Sequence, residues 1–255
     1  MPDTGAQPAV PEPVPPPGPD NPRTSGLDAR SALSVLGLTV LIVVASLVVI
    51  ISVMSVLQDP SVGVSGQGIE IALIAFQASL VGLTLWASRL FGPYPQTLGL
   101  HGRIESVGWL VVVVGVMCVA WAASLWLSLN VFREQMLQDI ATYKDAFFGE
   151  AQTRVVAIVS TVIGAPVSEE LLFRGFLLGG LIRFGVGVWL AVLISNGLWT
   201  GMHAGYSALG LIEVFVAGLF LSAAFLVSRS IWPPIVLHVL FNVAALVVMV
   251  AVVGA

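Results

Sequence analysis

Residues 155–183 read VVAIVSTVIGAPVSEELLFRGFLLGGLIR, a run long enough to cross a hydrocarbon core of about 30 Å. Its interior nevertheless holds Glu169, Glu170 and Arg174. A charge at the centre of a membrane helix costs about 2.5–3.5 kcal/mol on insertion scales, so these three require partners inside a bundle or a water-lined cavity. Whether the segment is a membrane helix at all is decided by what surrounds it.

The chain of 255 residues is 57% hydrophobic and 9% charged, with a mean hydropathy of +0.99. A soluble domain has no interior large enough to hide so much apolar surface. Spans are expected at Ala32–Leu57, Ile69–Leu90, Val107–Leu129, Arg154–Ile182, Val186–Met202, Ala208–Val227 and Pro233–Val252. The fold class is therefore all-α, a polytopic transmembrane helical bundle of about seven to eight spans; the alternation of a transmembrane barrel is absent. Val131–Arg154 mixes charge with apolar spacing and reads as an interfacial or extramembrane helix, or as a gate.

Residues 1–30 hold nine of the fifteen prolines and read as a disordered, proline-rich cytoplasmic tail ahead of the bundle at 31–255. The run PEPVPPPGP within it is a flexible lead-in or a ligand for an aromatic-lined groove. A secretory signal is not expected, because the first apolar run starts some thirty residues in and outlasts a signal's h-region of about 7–15 residues. Arg23 and Arg30 precede the first span, Arg89 and Arg103 follow the second, Arg183 the fourth and Arg229 the sixth. That distribution places the amino terminus in the cytoplasm and the protein in the cell membrane, although Arg133, Lys144 and Arg154 in the third connection depart from it. The single cysteine, Cys118, excludes an intrachain disulfide and a thiolate metal cage. Nothing is basic enough to bind nucleic acid, and the partners expected are the lipid bilayer and a membrane-associated peptide or protein.

The second half carries Glu169, Glu170, Arg174, Asn196, His203, Glu213, His238 and Asn242 within apolar surroundings. At about 100° per residue, Glu170 and Arg174 share a helix face, whereas Glu169 points about 140° from Arg174. One glutamate is braced and its neighbour is free, as a general base requires; a structural ion pair explains the same spacing. Trp199 and His203 lie four apart, with Asn196 nearly in line, and His238 and Asn242 lie four apart on another helix. His238 and Asn242 offer two donors to one oxygen. His101 sits in a loop without such context. Three helices of a bundle can thus bring Glu169, His203, His238 and Asn242 around one cavity.

With these motifs the sequence resembles the CAAX-prenyl-protease and bacteriocin-processing (CPBP, or Abi) family of intramembrane proteases. Its double glutamate with arginine four after the second is found as Glu169, Glu170 and Arg174, its aromatic-x-x-x-His as Trp199 and His203, and its His-x-x-x-Asn as His238 and Asn242. The resemblance covers about Val155–Ala245 and defines 154–245 as the catalytic motif core; much of the family has Phe where Trp199 stands. It implies a helical endopeptidase with Glu169 and His203 activating a water, His238 and Asn242 donating to the oxyanion, and Glu170 with Arg174 in support. Substrates implied by the resemblance range from prenylated CAAX proteins to peptides matured or inactivated at the membrane.

This chemistry requires no cofactor, yet two histidines and a glutamate also suffice as ligands for a catalytic zinc. A different class of reading, a non-catalytic scaffold or proton-coupled transporter, uses the same buried charges. One mismatch attends the hydrolase reading. Counted from Arg183 and from Trp232, Glu169 lies about fourteen residues deep and His238 about six, roughly 12 Å apart in depth. A tilt, a break at Gly164–Pro166 or another topology would remove it.

Overall fold

The computed structural model describes residues 27–59, 63–64, 66–100, 102, 104–148 and 151–253. The expectations for the proline-rich tail before residue 27 and for His101 lie outside the described residues. Among the described residues eight helices follow in order: α1 (Ala29–Leu57), α2 (Gly66–Ser88), α3 (Val107–Asn130), α4 (Arg133–Phe148), α5, α6 (Val188–Gly201), α7 (Ala208–Ser228) and α8 (Trp232–Val253). The helix α5 is composite. It runs through Ala151–Val159, a π turn at Ser160–Gly164, Ala165–Glu170, a π segment at Leu171–Leu178, and Gly179–Arg183. A two-residue antiparallel ribbon, Gln58–Asp59 with Gly63–Val64, joins α1 to α2, and a helical turn at Tyr94–Thr97 lies between α2 and α3.

Six helices among the described residues are long and apolar enough to cross a membrane: α1, α2, α3, α5, α7 and α8. Length and composition alone do not reach the expected seven to eight, because α6 has only 14 residues, about 21 Å of rise where a full crossing takes about 20 residues. Its helix stops at Gly201, and the turn that follows carries His203 before Ser207 caps α7 by accepting from the Gly210 backbone N–H at 3.1 Å. Large apolar side chains such as Val111 and Val119 on α3 and Val247 on α8 are exposed, as befits surfaces that meet lipid rather than water. The exception is the middle of α5, where every residue from Leu171 to Leu178 is buried. That helix is the core around which α1, α2, α6 and α8 pack.

Contacts between connections fix which helix ends lie together. The Asp28 N–H donates to Phe184 O at 3.0 Å and the Ile231 N–H to Gly99 O at 3.2 Å. Arg183 Nη1 reaches Phe91 O at 3.4 Å, and Arg229 pairs with Glu105 at 3.1 Å. Asp28 also caps α1, and hydrogen bonds from the Ser31 side chain and backbone hold its carboxyl below the ordinary aspartate range. At the far end, Asp139 of α4 accepts from the Ser207 backbone N–H at 2.6 Å and from its hydroxyl at 2.7 Å. The short α6 therefore carries the chain from the Phe184 end to the Ser207 end.

The depth mismatch is resolved by the same end. Gly175 packs against the Leu98 backbone so closely that a β-carbon there would lie 3.1 Å from Leu98 O. Ile231, bonded to Gly99, precedes α8 directly. The last helix thus begins at the level of Gly175, about two turns inside Arg183, and His238 comes level with Glu170.

Candidate active site

The two carboxylates of α5 are divided by their partners. Glu170 is fully buried, and its Oε1 accepts from Arg174 Nη1 and from His238 Nδ1, each at 2.9 Å. Glu169 is 8% exposed and makes no direct ion pair among the described residues; its Oε2 accepts from the indole Nε1–H of Trp199 at 2.6 Å. The brace of Glu170 by Arg174 read from the spacing is present, whereas Glu169 is not free but tied at one oxygen by a neutral donor. Of the two residues that the resemblance implies as joint activators of a water, Glu169 and His203, each bonds to Trp199: Glu169 to its indole N–H and His203 to its backbone carbonyl. Sequence reasoning had taken Trp199 only as an aromatic, and its ring N–H was the available signal.

Trp199, 2% exposed, lies at the centre of the group. The Arg174 guanidinium sits 4.4 Å above its ring, while His203 and His238 meet it edge-on at centroid distances of 5.1 and 5.5 Å. His203 Nδ1 is 2.9 Å from Trp199 O. A carbonyl only accepts, so Nδ1 carries the hydrogen and, in the neutral ring, Nε2 is the free acceptor. Tyr206 stacks on the other side of that imidazole at 5.8 Å. For His238 the same logic assigns the Nδ1 hydrogen to the Glu170 carboxylate; Nε2 then donates only when the ring is an imidazolium.

Asn242 enters from α8, and its amide nitrogen donates to Thr161 O at 2.8 Å. That carbonyl is orphaned by the sequence. In the π turn the Ala165 N–H bonds back to Ser160 O, and the next bond of that ladder would join residue 166 to Thr161 O, but Pro166 has no N–H. Ser160 O receives Gln77 Nε2 of α2 at 3.1 Å as well. Asn242 thus fills a backbone vacancy with one amide hydrogen, and its other hydrogen has no partner among the described residues.

Asn196 lies in the layer beneath. Oriented to satisfy both ends of its amide, it donates to Ser222 Oγ and Gly218 O at 3.1 Å and accepts from the Leu219 N–H at 3.0 Å. Arg174 Nη2 also donates to Gly218 O, at 3.3 Å. Glu213 is not brought to the site. Its Oε1 accepts from Ser124 and Ser128 of α3 at 2.6 and 2.7 Å, a pairing that satisfies a carboxylate between two helices. Among the described residues, no group of three or more His, Cys, Asp and Glu side chains is placed to hold a metal ion. The site gathers one carboxylate tied at a single oxygen by an indole, one carboxylate braced by two cationic or imidazole partners, two imidazoles and an amide, a set suited to moving a proton and stabilising an oxyanion.

No solved structure matches the chain. An uncharacterized 24.3 kDa protein of Escherichia coli is 29% identical over 153 residues, 55% of this chain and 64% of that protein, so the chain spans just under two thirds of that relative's length. Residues 151–244 match the family model described as type II CAAX prenyl endopeptidase, Rce1-like. This stretch contains Glu169, Glu170, Arg174, Trp199, His203, His238 and Asn242, and over it the resemblance drawn from the three motifs holds.

Proposed function

We propose that the chain is an intramembrane endopeptidase of the CAAX-protease type that hydrolyses a peptide bond with a water activated by Glu169 and His203. The observation that carries this reading is the division of the two glutamates. Glu170 Oε1 holds Arg174 and His238, whereas among the described residues Glu169 is hydrogen-bonded by the neutral Trp199 indole and keeps its other oxygen for a water. The water oxygen attacks the peptide carbonyl as Glu169 takes its proton, assisted by the acceptor Nε2 of His203. The developing oxyanion receives the second amide hydrogen of Asn242 and the Nε2–H of His238 in its imidazolium form. Collapse breaks the C–N bond, the proton held by Glu169 passes to the leaving amine, and a carboxylic acid, which keeps the water's other proton, and an amine are released. No covalent intermediate and no metal enter this route.

The substrate is a peptide or protein segment delivered from the membrane. The test compares purified wild type with Glu169→Gln and His203→Ala on a membrane-tethered peptide library. Both variants are expected to lose cleavage, and Asn242→Ala to slow it by about a hundredfold or more, as loss of one oxyanion donor does. Cleavage by both variants at the wild-type rate would remove these residues from the chemistry. Activity abolished by chelators and restored by zinc would replace the metal-free route, and no cleavage by any form would favour a scaffold or transporter.

A further inference from the structure

We infer that Trp199 is a positioning residue: its indole N–H fixes the Glu169 carboxylate with one oxygen tied and the other turned to the attacking water. This inference rests on the hydrolase reading above. It adds a hydrogen-bond donor to a residue that the sequence marks only as the aromatic four before His203.

The geometry supplies both the bond and the rigidity. Trp199 Nε1 donates to Glu169 Oε2 at 2.6 Å, and no second side-chain donor reaches Glu169 among the described residues. An indole has a single N–H in the plane of its ring, so the direction of that bond is set by the orientation of the ring. The ring is held on every side. Arg174 covers its face, His203 and His238 abut it edge-on, and Gly218 of α7 lies so near that a β-carbon there would stand 2.9 Å from the six-membered ring. Arg174 and His238 are themselves anchored on Glu170. The braced glutamate therefore positions its neighbour through the tryptophan. A phenyl ring at 199 would fill most of the same space and could not make the bond, leaving Glu169 free to rotate away from the water.

Misplacing a reacting group by about 1 Å can lower turnover about a hundredfold, whereas substrate contacts remain. Trp199→Phe is therefore expected to lower kcat by about ten- to a hundredfold with KM changed less than about twofold, measured in proteoliposomes on a fluorogenic peptide chosen from the membrane-tethered library by wild-type cleavage. Replacing Trp199 with 3-benzothienylalanine, which keeps the bicyclic shape and lacks only the N–H, should give the same loss and serves if the phenylalanine variant folds poorly. The bond has its own readout. In protein labelled with 15N at the indole nitrogens, the Trp199 signal, identified by its absence in Trp199→Phe, should move in Glu169→Gln. Full kcat in a folded variant, or an indole signal that Glu169→Gln leaves in place, overturns the positioning role. A wild type that cleaves nothing, with the signal still moving, overturns the hydrolase reading while upholding the indole as the support of Glu169.

Discussion

A carboxylate with no exposed surface needs compensation in charge and in hydrogen bonds, and Glu170 obtains both at a single oxygen from Arg174 and His238. Breaking such a pair from one side leaves a buried charge, which is more costly than never having had the pair. Arg174→Met should therefore destabilise the protein by about 3–5 kcal/mol, seen as a lower unfolding midpoint in detergent micelles. Combining it with Glu170→Gln should recover part of that loss; a double variant no more stable than Arg174→Met would show that packing of the guanidinium against Trp199 dominates instead. The pair itself was legible, because four residues of separation places both side chains on one face of a helix. The partnership of Glu169 with Trp199 was not, since it depends on how α6 is set against α5 across thirty residues of chain, and spacing within one helix carries no information about that.

The helix α5 departs from ideal winding on both sides of its glutamates, and the departures have identifiable supports. Around Ser160–Gly164 the ladder shifts to i→i−5, Pro166 withholds the next donor, and Gln77 and Asn242 supply side-chain donors to the exposed carbonyls of Ser160 and Thr161. Gly164 allows this, because a β-carbon there would collide with the Gln77 side chain. Ser195 of α6 donates to Phe173 O at 2.8 Å in the second π segment. A break near Gly164–Pro166 was anticipated from the sequence, but the reading at 100° per residue had no means of placing π turns, which are chosen by donors on other helices. The role of Asn242 at Thr161 makes a separable prediction about stability. Asn242→Ala should cost about 1–3 kcal/mol by orphaning that carbonyl, and the cost should shrink in a Pro166→Ala background, where residue 166 regains an N–H. Equal costs in the two backgrounds, measured by denaturant unfolding in micelles, would mean that the amide serves the backbone very little.

At the scale of the whole molecule, the number of long helices and the path of the chain give different answers about its ends. Six full-length crossings would return the carboxy terminus to the side of the amino terminus. The contacts assign α6 a further traverse, from the end where Phe184 meets Asp28 to the end where Ser207 meets Asp139. A helix of 14 residues manages this because the turn through His203 continues it towards Ser207; one of its faces is buried at Ser195, Asn196 and Trp199, while Trp189, Leu190 and Leu193 leave the other exposed. The sequence-based estimate counted this segment as a span from its apolarity, without sight of its shortness or of the turn that completes it. Arg30, Arg89, Arg183 and Arg229 all belong to the Asp28 end, whose connections are tied together by Arg183 with Phe91 and Arg229 with Glu105. Basic residues favour the cytoplasmic side of a membrane, and Arg133, Lys144 and Arg154 at the other end are accompanied by acidic residues. We therefore predict that an amino-terminal tag is cytoplasmic and a tag after α8 lies on the opposite face. In intact cells an impermeant protease or thiol reagent should reach the second and spare the first until the membrane is opened. Both tags protected, or both exposed, would show that α6 dips into the bilayer and returns, and would require another path to bring His203 beside Trp199.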